Sequence, residues 1–130
     1  MVVTLGAVTF FARDVDALAG FYAAALGLAP TVDDSPRYRE LAGGGTRIGF
    51  AFLGAYDLLS LQDQADPSGL RSVLTFLIGG ADGMEAAVAR AVAAGATLVK
   101  PPYATHFGAW MAVLRDPEGN AFRLSADAPA

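Results

Sequence analysis

The chain has 130 residues, enough for one domain with a sizeable core. It is 54% hydrophobic and only 17% charged, which excludes a disordered chain, and its formal net charge of −4 disfavours a phosphate-neutralising face for nucleic acid. Cysteine is absent, so disulfides, thiolate catalysis and Cys-based metal sites are excluded as well.

The apolar N-terminus lacks a basic leader and a cleavage site, and no apolar run approaches the ~20 residues that span a bilayer. A cytoplasmic protein with no membrane partner is expected. The first predicted element is a strand near Thr4–Phe11. It runs into a helix in which Leu18, Phe21, Tyr22, Ala25 and Leu26 make an apolar stripe of helical period, stopped by Gly27. Strands follow near Leu28–Val32, Arg37–Leu41 and Thr46–Leu53, the last two joined through Ala42-Gly43-Gly44-Gly45 as a hairpin. Residues 56–71, with Pro67, Ser68 and Gly69, read as a linker in which Leu58–Leu61 adds a short strand.

The second half repeats the pattern. A strand at Val73–Ile78 precedes a helix whose Asp82 and Glu85 have capping-box spacing, with Met84, Val88 and Val92 on the buried stripe and Gly95 at its end. Strands are expected at Thr97–Lys100, Ala109–Leu114 and Ala121–Ser125, the last pair joined by Asp116-Pro117-Glu118-Gly119-Asn120. Asp14 and Asp82 stand 68 positions apart (82 − 14), as do Gly27 and Gly95 (95 − 27). A repeat of βαβββ units follows. The expected architecture is α+β: one domain over 1–130, made of module 1 (about 4–55) and module 2 (about 72–126) around linker 56–71. Their curved mixed sheet would surround a cavity.

Phe21-Tyr22 followed by Leu26-Gly27-Leu28, the Asp116–Asn120 turn, Ala93-Ala94-Gly95 and Lys100-Pro101-Pro102 together resemble the vicinal oxygen chelate superfamily, the glyoxalase/bleomycin resistance protein/dioxygenase proteins. The resemblance runs from about Leu5 to Leu124. It implies paired βαβββ modules, often a homodimer, and a ligand cavity in the trough of the sheet. It does not imply one activity, because function sits in the site and not in the fold.

Metal-dependent members place His, Gln or Glu at four inward-facing strand positions. The resemblance and the repeat offset put these at Ala7, Gly49, Thr75 and Arg123. Alanine and glycine offer no donor, threonine is a poor ligand, and arginine is a fixed cation that repels a divalent ion. No metal and no other cofactor is therefore expected.

Side-chain alternation separates two faces. Val8, Phe10, Ile48, Phe50, Phe52, Leu74, Phe76, Phe122 and Leu124 form the face beneath the helices. Ala7, Thr9, Phe11, Arg47, Gly49, Ala51, Val73, Thr75 and Arg123 form the small, mixed face of a trough. Within it Arg123 is either the anchor of an anionic or carbonyl-bearing ligand, helped by Arg47, or the partner of Glu40 or a linker aspartate. Trp110, the single tryptophan, either lines the cavity with Thr75, Thr9 and Phe11 or anchors a core or dimer interface. His106, the single histidine, and Tyr103 are expected in a loop over the mouth, where an exposed structural role competes with ligand contact. Tyr38 and Tyr56 also bring hydroxyls.

No paired carboxylate or nucleophile completes a catalytic set, and no catalytic residue is assigned. The leading expectation is a metal-independent binding protein that sequesters a small molecule. A metal-dependent lyase, isomerase or dioxygenase resembling glyoxalase I is the alternative, with a pure interaction module as a third.

Overall fold

The computed structural model describes residue 2, residues 4–61 and residues 69–129. It divides into two compact units, one of Met1–Ala23 with Gly27–Gly69, the other of Ala24–Leu26 with Leu70–Ala130.

The first unit is built from β1 (Ala7–Ala12), α1 (Val15–Leu26) as far as Ala23, β2 (Pro30–Asp34), β3 (Tyr38–Ala42) and β4 (Arg47–Phe52). Its sheet has the order β1-β4-β3-β2, with β1 parallel to β4 and the other pairs antiparallel. Helix α1 begins where the Asp14 carboxylate accepts from the Ala17 amide at 3.0 Å, satisfying a backbone donor the helix leaves unpaired. It ends at Gly27, whose φ of 68° is the left-handed value that glycine adopts without a Cβ clash. Leu18, Phe21 and Tyr22 of its stripe are buried, as are Ile48 and Phe50 of β4. The rings of Phe10, Tyr22 and Phe50 stack at centroid distances of 5.6–6.0 Å. This ring cluster sits on the helix-covered side of the sheet, the parity read from the alternation.

A short helix α2 (Ala55–Leu58) follows, and it corrects the expectation of a strand at Leu58–Leu61. A short apolar run fits either state. Here the Tyr56 ring stacks on Phe11 at 3.9 Å, and Asp57 N–H donates to Gly54 O as the backbone turns. Part of the expected linker, residues 62–68, lies outside the described residues.

The second unit contains β5 (Val73–Leu77), a 3-10 turn (Ala81–Gly83), α3 (Met84–Ala94), β6 (Thr97–Ala104), β7 (Ala109–Arg115) and β8 (Ala121–Asp127). Sheet order is β5-β8-β7-β6, with β5 parallel to β8. Phe122, Leu124, Leu114 and Ala112 are fully buried together with Met84 and Ala91 of α3. The capping box expected from Asp82 and Glu85 is not formed. The 3-10 turn moves the helix start to Met84, so the N-cap is Gly83 and makes no side-chain cap.

The turn before β8 is held by one side chain. Asp116, 4% exposed, accepts from the amides of Glu118 (2.8 Å) and Asn120 (3.0 Å) and from Asn120 Nδ2 (2.8 Å). Short polar side chains that bond their own backbone in this way are the reason such sequences turn.

Candidate functional site

In each unit one face of the sheet lies opposite the helices. Residues level with one another across a sheet share a face, so the strand registers assign every side chain.

In the second unit one level row runs Thr75 (β5), Arg123 (β8), Val113 (β7) and Lys100 (β6). The next row is Leu77, Ser125, Met111 and Tyr103. Arg123 Nε donates to Thr75 Oγ1 at 2.6 Å, which orients the guanidinium along the sheet. Among the described residues Arg123 has no carboxylate partner, whereas Arg39 and Arg47 are held in ion pairs. Lys100 places its ammonium over the Tyr103 ring, 3.8 Å from the centroid.

In the first unit the corresponding rows are Ala7, Arg47 and Ala42; Thr9, Gly49, Glu40 and Val32; and Phe11, Ala51, Tyr38 and Asp34. The expected small, open hollow is partly filled by a polar cluster. Glu40, 6% exposed, accepts from Tyr38 Oη at 2.7 Å and Thr31 Oγ1 at 3.2 Å and pairs with Arg47 Nε at 3.4 Å. Burial and the adjacent Glu40 push the Tyr38 phenol up to about 12, with Arg47 opposing. Gly49 makes room for this arrangement, because a Cβ there would stand 2.6 Å from Tyr38 Oη and 3.0 Å from Thr9 Oγ1.

The residues singled out from the sequence therefore separate. Thr75 and Arg123 are joined directly, with Tyr103 on the same face one row on. Tyr103 is not in a loop, since β6 extends through Ala104 by way of two register shifts. Thr9 and Arg47 lie on the open face of the first sheet, where Arg47 serves Glu40 and also donates to Gly6 O at 3.4 Å. Glu40, one of the two kinds of partner weighed for Arg123, is thus engaged by Arg47, Tyr38 and Thr31, and the linker aspartates at 63 and 66 lie outside the described residues. Phe11 on that face is covered by Tyr56.

Trp110 is out of phase with Arg123. It is level with Ala104 and Ala126 on the other side of the second sheet. There it borders an open hollow of about 670 Å³ with Gly80, Asp82 and Glu85. His106 occupies the exposed turn between β6 and β7, its ring against the edge of Phe107 at 5.2 Å. Sequence reasoning did not join Tyr38 to Glu40 in the first unit, or Lys100 to the Arg123 row in the second. The alternation of Tyr38 with Glu40 already placed hydroxyl and carboxylate on one face, but which residues of β4 they meet depends on the strand register.

The register also changes the repeat correspondence. Thr75 is level with Arg123, whereas Gly49 is level with Thr9 and not Ala7. The offset of 68 taken from the helix landmarks does not carry to the strands, because the second unit inserts its 3-10 turn between strand and helix. Thr9 replaces Ala7 as the equivalent of Thr75, which supplies one more hydroxyl and no carboxylate or imidazole. A divalent metal fits neither pair, Thr9 with Gly49 in the first unit or Thr75 with the cationic Arg123 in the second. Among the described residues no group of three or more His, Asp or Glu is placed to hold a metal ion.

Comparison with known proteins agrees with the architecture. The family model for a glyoxalase-like domain matches residues 7–125. A glyoxalase/bleomycin resistance protein/dioxygenase family enzyme from Burkholderia phytofirmans PsJN is 37% identical, with a TM-score of 0.90 over 95% of this chain and 98% of that one. A glyoxalase-related enzyme from Fulvimarina pelagi is 22% identical, with a TM-score of 0.81 over 95% of this chain and 88% of that one. Lactoylglutathione lyase from Agrobacterium tumefaciens is 15% identical, with a TM-score of 0.71 over 94% of this chain and 92% of that one, and shares the fold. Among curated proteins nothing matches. The motifs, the two βαβββ units and the match over 7–125 place this chain in the glyoxalase-like domain family of the vicinal oxygen chelate superfamily.

Proposed function

We propose that this chain is a metal-independent small-molecule-binding protein that sequesters an anionic or carbonyl-bearing compound on the open face of the β5–β8 sheet. The observation that carries this reading is Arg123. Its guanidinium occupies a strand position where metal-dependent relatives carry a ligand. It is steered by Thr75 and has no carboxylate partner among the described residues. A planar cation with unused donors on a half-buried surface favours a carboxylate, phosphate or carbonyl oxygen. Turnover is not part of the proposal. His106 is exposed in a turn, and Glu40 is already bonded by three partners.

Elemental analysis of purified protein, before and after incubation with Zn, Ni, Fe and Mn, tests the metal-free part. About one equivalent per chain, lost on chelation together with thermal stability, would overturn it. A thermal-shift screen of small carboxylates and phosphates tests the rest. Hits should raise the melting temperature of the wild type and lose that effect in Arg123→Met. Equal shifts in both proteins would remove Arg123 from the site.

A further inference from the structure

We infer that the ligand of the β5–β8 face is a dianion with two acidic groups on a short apolar spacer, bridging Arg123 and Lys100. This rests on the anion-binding reading above and adds the second contact. Lys100 is the chain's only lysine, and the register puts it in the same cross-sheet row as Arg123, with Val113 between them.

Adjacent strands lie about 4.8 Å apart, so the two backbone positions stand roughly 10 Å from each other on one face. Each cation is oriented by a neighbour on that face. Thr75 accepts from Arg123, and the Tyr103 ring lies under the Lys100 ammonium. Val113 gives the floor between them an apolar surface suited to methylene groups. On the strands of this sheet the only carboxylate of the same parity is Asp127, level with Ala109 at the far end of β8. Four residues of strand separate it from Arg123, on the order of 13 Å. In a chain whose formal net charge is −4, this row is locally cationic and its two charges repel each other until anions neutralise them. One carboxylate satisfies one end only. Two on a spacer of suitable length satisfy both, and the second binds as an intramolecular event.

Calorimetric titration at physiological ionic strength with hexanoate, malonate and adipate tests this. Hexanoate carries one carboxylate. Malonate carries two on a spacer too short to bridge, and adipate carries two that reach. The expected result is adipate binding roughly tenfold tighter than either of the others, the gain of one added charge-assisted contact. Lys100→Met, on an exposed edge strand, should collapse that ratio toward one, whereas Arg123→Met should weaken all three acids. Equal affinity for adipate and hexanoate in the wild type, or an adipate preference that survives in Lys100→Met, would overturn the bridging inference. If Arg123→Met still weakens binding in that case, the anion-binding reading stands. Failure of every acid to bind the wild type would overturn both.

Discussion

Gly49→Ala turns the packing of the first open face into a measurable energy. The added Cβ would stand 2.6 Å from Tyr38 Oη and 3.1 Å from Tyr38 Cε1, closer than non-bonded atoms sit, so the phenol has to swing away. The hydrogen bond it gives Glu40 at 2.7 Å is then lost, and Glu40 is 6% exposed, with little water to replace it. A hydrogen bond to a charged group contributes about 1.5–3 kcal/mol. The backbone advantage of alanine over glycine in a strand returns about 0.5–1 kcal/mol. The net expectation is a loss of about 1–2 kcal/mol, which for a chain of this size lowers Tm by roughly 4–8 °C. Urea unfolding followed by circular dichroism gives the free energy directly. The same substitution in a Tyr38→Ala background should cost less, because the nearest atoms it collides with are gone and only Thr9 Oγ1 at 3.0 Å has to give. A coupling of about 1 kcal/mol or more between the two positions is therefore expected. A neutral Gly49→Ala, or an equal loss in both backgrounds, would refute the account of Gly49 as the space that Tyr38 needs to reach Glu40.

Tyr38 should titrate well above an ordinary tyrosine. Its pKa is raised from 10.0 to about 12, first by burial and then by Glu40, so the neutral phenol is the form the fold favours. The stability it contributes is fully present below pH 10 and is lost as pH rises toward about 12. Subtracting the ultraviolet phenolate titration of Tyr38→Phe from that of the wild type isolates the group, and a midpoint at 10 would contradict the burial argument. Asp116→Ala should cost about 2–3 kcal/mol, since it leaves two turn amides and the Asn120 side chain without their acceptor. The expected sign is a lower urea midpoint with an unchanged slope, and a midpoint equal to that of the wild type would show that water serves the turn as well.

Much of the architecture is written locally. The stripe Leu18, Phe21, Tyr22 with Asp14 before it and Gly27 after it specifies α1 through helical period and caps, and the observed ends carry those caps. The strand faces follow from alternation, so Phe50, Phe122 and Leu124 could be assigned to the helix-covered side from spacing alone. Local pattern failed where two states compete on similar local energies. The four residues at Leu58–Leu61 fit strand or helix until Tyr56 finds Phe11. Asp82 and Glu85 have cap spacing, but the 3-10 turn moves the helix start past Asp82 to Met84 and leaves Glu85 in the first turn.

The site divides along the same line. That Gly49, Thr75 and Arg123 are poor metal donors is a matter of side-chain chemistry, legible without coordinates. Which groups meet is a matter of register. A shift of one residue moves a side chain to the opposite face, and this is why Trp110, read as either a cavity-lining or a core or interface residue, lies behind the sheet from Arg123, level with Ala126. The tertiary structure also decided that Arg47 partners Glu40 and that Thr75 orients Arg123. Bulges in β6 then brought Lys100 level with Arg123 through Val113. Propensity, capping and alternation act over a few neighbours and are read along the chain. Pairing between strands that are 48 residues apart, as Thr75 and Arg123 are, is set by how whole sheets bury their apolar faces, and only the folded chain records it.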